Sequence, residues 1–144
     1  MMIFLDSDAI IAILRGKPTM AAFLAGHKND MFAIAIPVLY EIYYGFYFPP
    51  LSKRFRENAG FLQRLQDEQR RMLQFLNDIQ IFDLTLDAIK KGAEIAARLD
   101  ADGNGIGSFD SLIAGIIIAA GHDTIVSNND RHYERIPDFH VLNF

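Results

Sequence analysis

At 144 residues the chain has room for one well-formed core and not two, and with 51% hydrophobic and 22% charged residues it is too apolar for a disordered protein. It has no cysteine, which excludes disulfides and thiolate metal sites and leaves carboxylates, amides, carbonyls and histidine to hold any metal. Fourteen basic against eighteen acidic residues give a net charge of −4, which argues against a general nucleic-acid coat protein but not against an enzyme whose acids gather around a cation.

The opening MMIFLDSD lacks the basic start, long apolar stretch and cleavage site of a secretory signal. Its apolar run, MIFL (2–5), reads as a buried strand that stops at Asp6. Asp8 is placed to cap a helix carrying AIIAIL (9–14), with Gly16 and Pro18 as stop signals. A second helix over about 18–27 leads to a second apolar strand, MFAIAI (31–36). Pro37 suits the first turn of a helix that runs to about Phe48 and ends at Pro49-Pro50.

Residues 52–76 read as a longer amphipathic helix, with Phe61, Leu62, Leu65, Met72, Leu73 and Leu76 on one face. IQIFDL (79–84) is a third strand, and 86–100 a helix in which Ala93, Ala96 and Ala97 offer close packing. DGNGIGS (102–108) is a loop, and Asp110 stands near the start of an apolar helix ended by Gly121. DTIVS (123–127) and HVLNF (140–144) complete the strands. The longest late apolar stretch, LIAGIIIAAG (112–121), is too short to span a bilayer, so a soluble cytoplasmic protein without a membrane association is expected. Continuous apolar strands alternating with helices predict one α/β domain over 1–144, with a parallel sheet of four to five strands covered on both faces.

In such sheets, sites form outside the carboxyl ends of the strands. Asp6 ends the first strand, Glu41 lies in the first turns of the helix after the second, Asp110 opens a late helix, and Ser127-Asn128-Asn129-Asp130 ends the fourth strand. Carboxylates brought together on one rim repel and are costly unless a cation neutralises them. Oxygen-only ligation suits Mg²⁺ or Mn²⁺ and phosphate-bearing substrates. Each residue also has an ordinary reading. Asp8 is a better helix cap than ligand; Glu41 and Asp110 could be first-turn acids favoured by the helix dipole; Asn129 and Asp130 could form a turn. The aromatic run 40–48 reads as core or interface rather than an RNA platform, and Gly45 shares a helix side with Glu41. The basic residues Lys53, Arg54, Arg56, Arg64, Arg70 and Arg71 read mostly as a solvated helix face, with a local RNA or partner surface as the alternative, and His132 reads as a helix-end or surface residue rather than a catalyst.

With these residues in place the chain resembles the PIN-domain toxins of prokaryotic toxin–antitoxin pairs, the VapC type, over essentially its whole length. FLDSDAIIAILRG (4–16), IPVLYEIYYG (36–45) and AARLDADGNGIGSFDSLIAGIIIAAGHDTIVSNN (96–129) carry the resemblance, in order and spacing. It implies a three-layer α/β/α fold and an Mg²⁺- or Mn²⁺-dependent endoribonuclease, usually dimeric and held inactive by a cognate antitoxin. By position, Asp6 and Asp110 would be metal ligands, and Glu41 would ligate directly or through water and position the attacking water. The fourth position departs from the family's acid, since Asn129 follows Ser127-Asn128; Asp130 stands next to it. Catalytic candidates are therefore Asp6, Glu41, Asp110 and Asn129, with Ser127, Asp130 and Asp8 behind them. Two rivals follow from the same residues: a small phosphatase using Asp6 and Asp8, and a PIN-like protein that binds RNA or a partner without cutting.

Overall fold

The computed structural model describes residues 1–129 and 131–144, and Asp130 lies outside the described residues. Five strands, β1 (Met2–Leu5), β2 (Met31–Ala35), β3 (Gln80–Phe82), β4 (Thr124–Val126) and β5 (His140–Leu142), form one sheet in the order β3-β2-β1-β4-β5. Every pairing is parallel, with Phe4 opposite both Ala33 and Ile125, Ile34 opposite Ile81, and Ile125 opposite Val141. The central strands are buried on both faces, which is why Ile3, Phe4 and Leu5 run without a polar break.

The helices are α1 (Ser7–Leu14), α2 (Pro18–Gly26), α3 (Pro37–Leu51), α4 (Ala59–Asn77), α5 (Leu86–Ala101) and α6 (Ser108–Ala119). They divide into two groups: α1 packs with α2, α3 and α4, while α5 and α6 make the most extensive helix contact in the molecule. With the sheet between them this is the expected three-layer α/β/α arrangement. The α5–α6 crossing rests on glycine. A Cβ on Gly115 would stand 2.5 Å from the Ala88 carbonyl oxygen and 2.7 Å from the Gly92 nitrogen, so only hydrogen lets the backbones meet. Ala93 and Ala97, expected to supply this packing, are exposed instead.

Three local expectations are corrected. Asp8 is not the cap of α1: the helix begins one residue earlier, and Asp6 takes that position with its carboxylate accepting from the Ser7 N–H. Pro49 and Pro50 do not stop α3, which closes at Leu51 with the Ser52 N–H bonded to the Phe48 and Pro49 carbonyls. The helix expected from residue 52 starts only at Ala59, because Ser52 and Asn58 each cap locally: Ser52 Oγ accepts from Phe55 N–H, and Asn58 Oδ1 from Phe61 N–H. On α4, Leu73 is exposed, whereas Glu68 is buried and paired at 2.8 Å with Arg15, the C-cap residue of α1. Nor is the basic surface wholly solvated, since Arg71 donates to the Leu14 carbonyl.

Among the described residues no single helix is long and apolar enough to cross a membrane. The apolar helix α6 is instead buried from Ile113 to Ile117.

Candidate functional site

The strand order changes direction at β1: the chain leaves β1 to build β2 and β3 on one side, and returns to lay β4 on the other. A crevice opens outside the strand ends at such a point. Asp6 and Ser127 are the first residues past β1 and β4, and the Asp6 N–H bonds to the Val126 carbonyl, so the sheet ladder itself delivers both side chains to the crevice.

Asp6 is only 6% exposed. Its two carboxylate oxygens are held separately, Oδ1 accepting from the Ser7 N–H at 2.9 Å and Oδ2 from Ser127 Oγ at 2.9 Å. Ser127 Oγ in turn accepts from the Asn129 N–H. Ser7 joins Asp6 to the next acid: its hydroxyl donates to Glu41 Oε2 at 3.1 Å, across from α1 to the second turn of α3. Asp110, in the first turn of α6, receives two donors from beyond β4, His132 Nδ1 at Oδ2 (2.6 Å) and the Tyr133 hydroxyl at Oδ1 (3.3 Å). A carboxylate only accepts, so the imidazole proton sits on Nδ1.

The acids feel one another. Burial pushes the Asp6 carboxyl up to about 7; the bonds from Ser127 and Ser7 oppose the rise, and the charges of Asp8 and Glu41 add to it. Glu41 is raised by burial and by the charges of Asp110 and Asp8, against the Ser7 bond. The Tyr133 hydroxyl, buried between them, is raised first by desolvation and then by the charges of Asp6, Asp110 and Glu41 together. Three residues more than a hundred positions apart in sequence at the extremes thus share one electrostatic neighbourhood. Among the described residues, however, no three Asp, Glu or His side chains stand close enough to clasp an ion directly. This donor set, oxygens only, mutually repelling and loosely spaced, fits a hard divalent ion that keeps part of its water shell, the habit of Mg²⁺ and Mn²⁺.

The remaining expected residues divide. Asp8 spends its carboxylate on backbone: Oδ1 accepts from Ala9 N–H, and Oδ2 from the N–H groups of Asn128 and Asn129 at 2.8 and 3.2 Å. It staples the segment after β4 to the start of α1. Asn129 is exposed, its main chain held by Asp8 and Ser127. Gly45 faces open space, so nothing packed there requires glycine. Ser7 and Tyr133 carry no reading from sequence, and His132, read as a surface residue, is partly exposed but bonded to Asp110. The signal for Ser7 was its place beside Asp6. His132 and Tyr133 lie in a short turn without periodicity, and only the return of the chain to Asp110 gives them meaning.

The chain belongs to the PIN domain family, whose pattern matches residues 3–138. Within that frame its structure is similar to that of VapBC2 from Rickettsia felis bound to a DNA fragment from their promoter, with 25% identity, a TM-score of 0.77, and coverage of 100% of this chain and 99% of that one. It is also similar to DNA-bound VapBC from Salmonella typhimurium (23% identity, TM-score 0.74, 99% and 98% covered). FitAcB from Neisseria gonorrhoeae shares the fold at 18% identity, with a TM-score of 0.72 and coverage of 99% and 97%. No curated protein matches the chain by sequence.

Proposed function

We propose that the protein is a divalent-metal-dependent endoribonuclease, the toxin of a toxin–antitoxin pair, with Asp6, Glu41 and Asp110 as its ion-holding residues and Mg²⁺ or Mn²⁺ as its cofactor. The observation that carries the reading is the convergence of these three acids at the β1–β4 crevice, where Ser7 links Asp6 to Glu41, the charge of Glu41 opposes ionisation of Asp6, and that of Asp110 opposes ionisation of Glu41. Membership of the PIN domain family and likeness to toxin–antitoxin complexes support the nuclease and the antitoxin partner.

When bound, the ion supplies Lewis acidity and counter-charge for a phosphodiester undergoing hydrolysis. Asp6 provides a buried oxygen whose direction is fixed by Ser7 and Ser127. Glu41 is held at Oε2 by Ser7 and has a raised proton affinity, which suits it to orient a water and take its proton at Oε1. Asp110 brings the third oxygen pair from α6. Asn129 stands at the rim as a neutral contact. The exposed aromatic stripe of α3, with Tyr40, Tyr44, Tyr47 and Phe48 each at least half exposed, supports pairing with a second copy of the chain, and the same reading has the protein act in the cytoplasm.

The phosphatase alternative needs Asp8 as a general acid, but its carboxylate is occupied by three backbone donors. The test is incubation with total RNA in Mg²⁺, Mn²⁺ or excess chelator, followed by mapping of the ends. Cuts bearing 5′-phosphate and 3′-hydroxyl, lost with chelator, are expected. Intact RNA under all three conditions, or cutting indifferent to chelator, contradicts the proposal.

A further inference from the structure

Asp110 differs from the other two acids in what holds it. Both of its oxygens are gripped by a single dipeptide, His132-Tyr133, which lies beyond β4 and 22 to 23 residues further along the chain. The two halves of the grip are unlike. Tyr133 is 1% exposed, opens the short turn Tyr133–Arg135, and packs its ring against Phe139, so it is anchored in the core. The His132 side chain is 43% exposed and Asp110 22%, which leaves the pair open to solvent on one side.

A partly exposed side-chain pair of this kind contributes little to stability. Stability alone therefore gives no account of a 2.6 Å contact reinforced by a buried hydroxyl on the other oxygen. Two donors on two oxygens fix the rotation of the carboxylate about its Cβ–Cγ bond. Each oxygen still keeps a second lone pair, so the grip orients the group without exhausting it. Hydrogen-bonded partners of this sort commonly set the direction of a ligating carboxylate, and their loss weakens metal binding or activity by about 10–100-fold.

We propose that His132 is a positioning residue for Asp110, with the Tyr133 hydroxyl as its second donor: the pair aims the Asp110 carboxylate at the crevice occupied by Asp6 and Glu41. This rests on the reading of Asp110 as an ion-holding residue. It assigns His132 no contact with substrate.

The experiment is calorimetric titration of Mn²⁺ into the wild-type protein and the variants His132→Ala, His132→Asn and Tyr133→Phe, with RNA cleavage measured across a range of Mn²⁺ concentrations. His132→Ala is expected to bind Mn²⁺ about 10–100-fold more weakly with an unchanged melting temperature. Its cleavage defect should shrink as Mn²⁺ is raised, which a merely structural lesion would not show. His132→Asn, which retains a side-chain N–H donor, should recover most of the affinity, and Tyr133→Phe should lose less than His132→Ala because its bond is longer. Wild-type affinity or tighter binding in His132→Ala, in a protein that otherwise binds Mn²⁺ and cuts RNA, would overturn the positioning role and leave the nuclease reading standing. Equal losses in His132→Ala and His132→Asn would also overturn it. A wild-type protein that neither binds Mn²⁺ nor cuts RNA removes both.

Discussion

Asp6 sits at the end of the central strand, buried, with its carboxylate fixed by a main-chain N–H on one side and a buried serine on the other, whereas Asp110 rides on a helix, partly exposed, and is held from outside by a histidine and a tyrosine. The first is positioned by the sheet and cannot move without the β1–β4 ladder; the second is positioned by side chains that reach it from a later turn. The sheet-held acid is the one whose charge the fold resists most, since desolvation raises its pKa to about 7. The site therefore combines one buried carboxylate, whose charge the fold resists, with a more exposed one oriented by two side-chain donors.

Removing either charge should have the largest effect on cleavage. Asp6→Asn and Asp110→Asn are each expected to lower RNA cleavage by at least ~10²–10³-fold, as loss of a group that stabilises developing charge does. Their stabilities should part company. In chelator at pH 8, Asp6→Asn should melt at or above the wild-type temperature, because a neutral amide replaces a buried charge, while Asp110→Asn should change little. Equal shifts in the two variants would dissolve the distinction.

The pH dependence of the wild-type protein sharpens the same point. The folded-state pKa of Asp6, about 7, lies above its ordinary 3.8, so the folded state holds this proton more tightly than the unfolded chain. The associated stability is complete below about pH 4, declines as pH rises, and is gone above about 7. Glu41, raised in the same direction, adds to the slope. Chelated protein should lose several degrees of melting temperature between pH 5 and pH 8, and Mn²⁺ should flatten or reverse the loss. A melting temperature that climbs with pH in chelator would contradict the burial of an uncompensated Asp6.

A smaller effect is expected from Asp8→Ala. It releases the segment after β4 from the start of α1, costing about 1–2 kcal/mol by chemical denaturation and reducing cleavage without abolishing it. Complete loss of activity in a folded Asp8→Ala protein would bring back a direct chemical role. The smallest change belongs to Gly45→Ala. The added Cβ meets nothing, and alanine is the better helix former by up to ~1 kcal/mol, so stability should hold or rise slightly and cleavage should persist.

Much of this was legible in the residues because it depends on local pattern. The buried strands announce themselves as apolar runs, and an acid directly after such a run, as at Asp6, has few structural uses. Parallel pairing then brings Asp6, Glu41 and Ser127 to one rim without further information. What stayed hidden depends on where the chain goes after a periodic element ends. Asp8 has the composition of a cap, but the helix starts one residue before it, and its carboxylate is claimed by the main chain of Asn128 and Asn129, 120 residues away. The run Lys53 to Glu57 is rich in good helix formers, yet side-chain caps at Ser52 and Asn58 divide it from α4. His132 belongs to no repeating pattern, so its bond to Asp110 becomes visible only once the turn after β4 is folded back over α6.

The proposal places a divalent ion among the acids converging at the β1–β4 crevice. Crystals of the wild-type protein soaked in Mn²⁺ and measured at the manganese absorption edge test it most directly. An anomalous peak is expected within ~2–2.5 Å of a carboxylate oxygen of Asp6 or Asp110, with Glu41 bound to the ion or to its waters. No peak in that crevice, or one only at surface acids elsewhere, would contradict it.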